Sequence, residues 1–172
     1  MTALYFLKKA NLKKGDKVLI YGASGSVGMS AVQLGKYFGA EIYAVCSIEN
    51  TELVKKYGAD QAIDYKKENI KEIKDRFDVV FDAVGKINKS IGEKLLSPKG
   101  RYISVVSSGH AQGGSTELNY LTELVEKNHL KPVIDRSYPL EQMVEAHSYV
   151  DKGHKKGNVV ITVKHNNKIS AK

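Results

Sequence analysis

Apolar positions along the chain fall into short, unbroken blocks separated by stretches of helical spacing. Val18, Leu19 and Ile20 form a run between charge and glycine, which predicts a buried parallel strand. Val27, Ala31, Leu34 and Phe38 then recur at helical spacing, and Gly39 stands where a left-handed cap would end that helix. Glu41 to Val45 predicts a second strand. Upstream, residues 2–10 are apolar at positions 3, 4, 6 and 7, a helix with a wide buried face, and residues 11–16 read as a turn.

The alternation continues. Thr51 to Tyr57 predicts a helix stopped by Gly58, and residues 61–64 a third strand. Ile70, Ile73 and Phe77 mark one face of a further helix. Asp78 to Val84 predicts strand four, and Ile91, Leu95 and Leu96 a helix closed by Pro98 and Gly100. Arg101 to Val106 predicts strand five. Strands alternating with helices call for an α/β fold, a doubly wound parallel sheet of Rossmann type.

Beyond it the texture changes. Residues 107–115 are rich in Ser and Gly and read as a loop, and Leu118, Leu121, Leu124 and Val125 mark a helix. Pro132 to Ile134 is extended, a helix runs from Pro139 through Val150, and 158–163 is a last strand. Residues 165–172 are polar and expected to fray. The chain contains no internal repeat.

Chemistry enters between the first strand and its helix. Gly22, Gly25 and Gly28 stand in G-x-x-G-x-x-G spacing, with a strand before, a helix opening inside the motif and a strand after. That context suits a phosphate-binding turn: glycines let the backbone approach a pyrophosphate, and the helix N-terminus offers free amides and the positive end of its dipole. Glycines also close tight turns without any ligand, so the fingerprint acquires meaning only from these neighbours.

Composition narrows the classes. The 172 residues suffice for one sizeable core, and 42% are hydrophobic, ordinary for a globular chain. No apolar run reaches membrane-span length, and no signal-peptide pattern opens the chain. Cys46 is the single cysteine, so an internal disulfide is excluded and a reducing, cytoplasmic setting is expected. Net charge is +8, from 27 Lys and Arg against 19 Asp and Glu. The lysines are scattered in pairs without interleaved aromatics, which argues for a solvated basic surface over a nucleic-acid face. The five histidines show no metal-ligand spacing with Cys46 or one another, and no Ser/His/Asp set is evident.

Several words of the sequence carry a family resemblance. They are the fingerprint at 22–28, Leu-Gly-Lys-Tyr-Phe-Gly-Ala at 34–40, Tyr-Gly-Ala-Asp at 57–60, Ile-Asp-Tyr at 63–65 and Phe-Asp-Ala-Val-Gly at 81–85. Lys-Pro-Val-Ile-Asp-Arg at 131–136 and Gly-Asn-Val-Val-Ile at 157–161 follow in order. Together the chain resembles the C-terminal, cofactor-binding part of a medium-chain dehydrogenase/reductase of the zinc-type alcohol dehydrogenase superfamily, in its quinone-oxidoreductase-like branch. The resemblance implies a leading helix at 1–13, a Rossmann domain at 14–112, a return segment of the catalytic domain at 113–164 and a polar tail at 165–172. It also implies that a GroES-like catalytic domain, with any zinc ligands and the substrate-facing residues, precedes Thr2. On this view the helix at 2–10 and the strand at 158–163 present apolar surface meant for that domain. The sheet stops at an unpaired fifth strand, and a homodimer is expected. No zinc, nucleic acid or membrane is expected as a partner of this chain.

The implied activity is NAD(P)H-dependent hydride transfer to or from a carbonyl, quinone or enone; the alternative is a nucleotide-binding fragment without turnover. The pyrophosphate is expected over Ser24, Gly25, Ser26 and Val27. NAD enzymes place an acid about 20 residues past the fingerprint; the resemblance aligns Ser47 there, which repels no phosphate. With Asn50 nearby and Tyr65 matching a tyrosine at the adenosine phosphate, NADP is the expected cofactor and NAD the alternative. Glu49 points the other way, since a carboxylate repels a 2′-phosphate. Val84, Gly85 and Ser107 are expected near the nicotinamide ribose, and Asn158 matches an asparagine that reaches the cofactor.

Overall fold

Within strand β1 (Lys17–Tyr21), Val18 and Ile20 join one apolar cluster and Leu19 another, and all three are fully buried. The same alternation recurs in β2 (Glu41–Cys46), where Ile42 and Ala44 oppose Val45, and in β4 (Phe77–Asp82), where Val79 and Phe81 oppose Val80. A sheet buried on both faces follows, as unbroken apolar runs require. The computed structural model describes residues 1–163; the tail expected at 165–172 lies outside the described residues.

With β3 (Gln61–Asp64) and β5 (Leu96–Ser104), these strands form a parallel five-stranded sheet in the order β3-β2-β1-β4-β5. The order reverses at β1, and the crevice above the carboxyl ends of β1 and β4 is where such sheets bind ligands. The helices between the strands are α2 (Ser26–Tyr37), α3 (Thr51–Lys56) and α4 (Lys89–Lys94). Gly39 follows α2 at φ +82°, the left-handed geometry expected of it.

Three expectations need correction. Residues 70–77 do not form a helix: a single 3-10 turn spans Ile70–Glu72, and Phe77 opens β4, fully buried. The spacing is deceptive because Ile70, Ile73 and Phe77 do share one apolar cluster, but Arg76 Nη1 donates to the carbonyls of Ile73, Lys74 and Asp75. That guanidinium takes the place of the backbone amides a helix would supply. Second, Leu96 ends no helix; it starts β5, whose bulged register against β4 between Phe77 and Val79 accommodates Pro98 on an edge strand. The strand ends at Ser104, leaving Val106 outside it and 73% exposed.

Third, the leading helix α1 (Thr2–Lys9) presents no apolar face to water. Ala3, Leu4, Phe6 and Leu7 are at most 2% exposed, α1 packs along α2, and the Phe6 ring lies 5.8 Å from that of Phe81. Leu121 and Leu124 of α5 (Ser115–Glu126) close the same cluster. The rest forms a small parallel pair, β6 (Ile134–Pro139) and β7 (Asn158–Thr162), joined through α6 (Met143–Asp151). Val159, Val160 and Ile161 are half-buried there, so β7 is not bare either. Among the described residues the large sheet stops at β5 as expected.

Candidate functional site

The turn from β1 into α2 is built by its glycines. Gly22 takes φ +75°, which turns the chain sharply after the strand. At Gly28 a Cβ would lie 2.2 Å from the Gly22 carbonyl oxygen, so only glycine lets α2 press against the loop. Gly25 differs. Its φ of −77° suits any residue, and a Cβ there would meet only the Gly22 oxygen at 3.5 Å. The fold does not need glycine at 25; the space it leaves belongs to the cavity in front of it.

That cavity, about 640 Å³, opens at the carboxyl ends of β1, β2, β3 and β4. Gly22, Ser24 and Gly25 form its floor; Ser47, Asn50 and Tyr65 stand on one side and Val84 on the other. No side chain caps α2 and its first turn holds no acid, so the amides that open it, including those of Ser26 and Val27, are free for a ligand anion. The two serines of the fingerprint are therefore not serving as helix caps.

Asn50 ties the two halves together. It is 8% exposed, and its Nδ2 donates to Ser24 Oγ at 3.1 Å and to Ser47 Oγ at 3.2 Å. Each hydroxyl, having accepted there, keeps its own proton: that of Ser47 goes to the Glu49 carboxylate, and that of Ser24 is left for another acceptor. Asn50 Oδ1 is buried and, among the described residues, without a partner. Glu49 lies on the same rim, and the Ser47 hydroxyl, its own backbone amide and the Lys66 ammonium hold its carboxyl down at about 2. Lys66 Nζ is 3.4 Å from Glu49 Oε1.

The return segment completes the site. Gly157 bridges Gly25 in parallel fashion, its amide donates to the Ser24 carbonyl at 2.8 Å, and Ser26 Oγ donates to the Gly157 carbonyl at 2.7 Å. Lys155 Nζ donates to Ser26 Oγ and to the Gly157 carbonyl. Burial lowers the Lys155 pKa, with Asp135 opposing. A cation in the first turn of a helix sits at the wrong end of the dipole unless an anion lies between them. Lys66, Lys86, Lys155 and Lys156 line the cavity against the carboxylate of Glu49, a field suited to phosphates.

Not every expected residue arrives at the cavity wall. Ser26, Val27 and Gly28 form the helix turn beneath it, and Gly85, at φ +71°, turns the chain beside Val84. Ser107 is exposed past the end of β5, outside the lining. Asn158 is also outside: its Nδ2 and backbone amide both donate to the Val133 carbonyl. In its place the structure brings Lys155, which the sequence marked only as half of a lysine pair.

The sequence and the fold resemble known proteins. A family model for zinc-binding dehydrogenases covers residues 26–144. The chain belongs to that family. It is 37% identical over 175 residues to a 2-methylene-furan-3-one reductase of Solanum lycopersicum, covering 93% of this chain and 44% of the relative. A chloroplastic NADPH-dependent alkenal/one oxidoreductase of Arabidopsis thaliana is 32% identical, with 90% and 42% covered. The chain thus spans less than half the length of these curated relatives. Among solved structures, the quinone oxidoreductase of Coxiella burnetii superposes with a TM-score of 0.85 at 31% identity, covering 95% of this chain and 57% of that one.

The description of the family names zinc. Among the described residues no three His, Cys, Asp or Glu side chains cluster together. Cys46 is buried at the end of β2, and burial with the nearby Asp64 and Glu49 carboxylates pushes its thiol up to about 11, the opposite of a zinc-ready thiolate. The described residues do not fit zinc. Among them, no helix is long and apolar enough to cross a membrane.

Proposed function

We propose that this chain is the cofactor-binding portion of an NADPH-dependent oxidoreductase that reduces a carbonyl, quinone or enone. The observation that carries the reading is the space left by Gly25 before the uncapped first turn of α2, inside a lysine-rimmed cavity. A side chain there would cost the fold nothing but would fill the room a pyrophosphate needs. When bound, the dinucleotide supplies the hydride; the chain's residues bind and orient it. The Ser26 and Val27 amides and Lys155 hold the pyrophosphate, Ser24 donates from the side, Ser47 stands beside the adenosine ribose, Tyr65 covers the adenosine, and Val84 with Gly85 backs the nicotinamide ribose. Ser107 and Asn158 stay candidates only for the rim of a bound complex. The buried single thiol of Cys46 supports a reducing compartment, the cytoplasm.

Calorimetric titration tests the cofactor. NADPH is expected to bind at least as tightly as NADH, because Ser47 stands where a discriminating acid would. Clear preference for NADH would overturn this and make Glu49 the ribose ligand.

Alone, the chain is proposed to bind cofactor without turnover and to dimerise. Val84 and Val106, at the nicotinamide end, are 43% and 73% exposed, and hydride transfer needs water kept from that ring. The free edge of β5 is a template for pairing, and a two-fold dimer uses it twice. Light scattering should give twice the 19.0 kDa chain mass, and NADPH with a simple quinone should show no turnover above buffer. A monomer overturns the first expectation, and measurable turnover the second.

A further inference from the structure

We propose that Lys66 is the cation that grips the adenosine 2′-phosphate, and that its ion pair with Glu49 sets the choice between NADPH and NADH. The proposal rests on the cofactor reading above and assigns the residues that decide it. Glu49 sits in the 3-10 turn Ile48–Asn50 that follows β2, and Lys66 in the turn that follows β3. Cys46 and Asp64 are register partners, so both turns leave the sheet side by side. The Lys66 amide donates to Asp64 Oδ1 at 3.0 Å, which fixes where the side chain starts. Its ammonium reaches Glu49 Oε1 at 3.4 Å, on the wall shared with Ser47 and Tyr65.

Position singles this lysine out. The fingerprint opens from β1, so the adenosine ribose lies over the end of β2, the next strand toward β3. Lys86 follows β4 on the opposite side of β1, and Lys155 is bonded to the first turn of α2. Lys156 belongs to the return segment, its amide bonded to Asp135, so among the described residues lining the cavity Lys66 is the cation carried by the turns that follow β2 and β3.

The pair is built to be exchanged. Its side chains are 56% and 58% exposed, so solvent screens it and it holds weakly. A phosphate monoester carries about −1.5 to −2 charge at pH 7 and outbids one carboxylate for the ammonium. Glu49, then unpaired, repels the phosphate it has yielded to. With NADH the pair persists, and Glu49 accepts from a ribose hydroxyl. A lysine and an acid of opposite effect leave the site near balance between the two cofactors, and removing either one tips it.

The test is calorimetric titration of NADPH and NADH, separately, into the wild-type chain, Lys66→Gln and Glu49→Gln. Both side chains are exposed, so both variants should fold. Lys66→Gln is expected to weaken NADPH roughly fivefold to tenfold, one charge contact, and to leave NADH within about twofold. Glu49→Gln is expected to tighten NADPH by a similar factor and weaken NADH, and added salt should shrink the Lys66 effect. If Lys66→Gln moves both cofactors equally or neither, or if Glu49→Gln fails to raise the NADPH-to-NADH affinity ratio, the pair is not the selector and only this inference falls. If the wild-type chain binds neither cofactor, the cofactor reading falls and takes the inference with it.

Discussion

Gly25→Val should abolish dinucleotide binding while leaving the protein folded. Gly25 lies at φ −77° with an extended ψ, a conformation valine adopts freely, and its Cβ would meet nothing closer than the Gly22 oxygen at 3.5 Å. The valine methyls would instead occupy the cavity before the amides of Ser26 and Val27. Hydrogen bonds to a charged group are worth about 1.5–3 kcal/mol each, so losing two weakens binding on the order of 100-fold or more. Titration with NADPH reads the loss, and an unchanged urea midpoint shows that the fold survives. The contrast is Gly28→Val, where a Cβ would lie 2.2 Å from the Gly22 oxygen and the fold itself should fail. If Gly25→Val binds as tightly as the wild type, the pyrophosphate does not pass there and the cofactor site lies elsewhere.

Phe6→Ala should cost about 3–5 kcal/mol of unfolding free energy, the range for truncating a buried phenylalanine. Phe6 is 1% exposed, edge-on to Tyr5 at 5.1 Å between ring centres and 5.8 Å from Phe81 on β4. Single domains are stable by only about 5–15 kcal/mol, so the change removes a large share. Urea denaturation followed by circular dichroism measures it. A loss below about 1 kcal/mol would show that α1 is not docked in solution and that its apolar face is available to another partner.

The expected exposure of α1 and its observed burial show where sequence reading reaches its limit. A stripe at positions 3, 4, 6 and 7 says that the helix buries a face; it does not say against what. Strands β1, β2 and β4 were legible because each is covered on both sides, which leaves a largely apolar run that polar neighbours delimit. Residues 70–77 were misleading because three apolar residues three and four apart fit a helix and also fit a turn followed by a strand. The deciding element, Arg76 satisfying three carbonyls, has no period to detect. In the site, the fingerprint was legible because its geometry is local. Lys155 and Lys66 were not, since each acquires its role from an element distant in the chain or from a neighbouring turn. Asn158 stood out by its similarity to a family position, yet its amide is spent on the Val133 carbonyl.

The bridge between Gly157 and the fingerprint also fixes an order of events during synthesis. The Ser26 to Gly157 contact joins residues 131 apart in sequence. The five strands of the sheet are all made by Ser104, so the ribosome can release a folded sheet while the residues that finish the cavity do not yet exist. A nascent chain halted before residue 153 would carry the glycine turn but not Lys155 or the Gly157 bridge. On the proposed cofactor reading, capture of the dinucleotide waits until Lys155 and Gly157 have emerged, some fifty residues after the sheet is made.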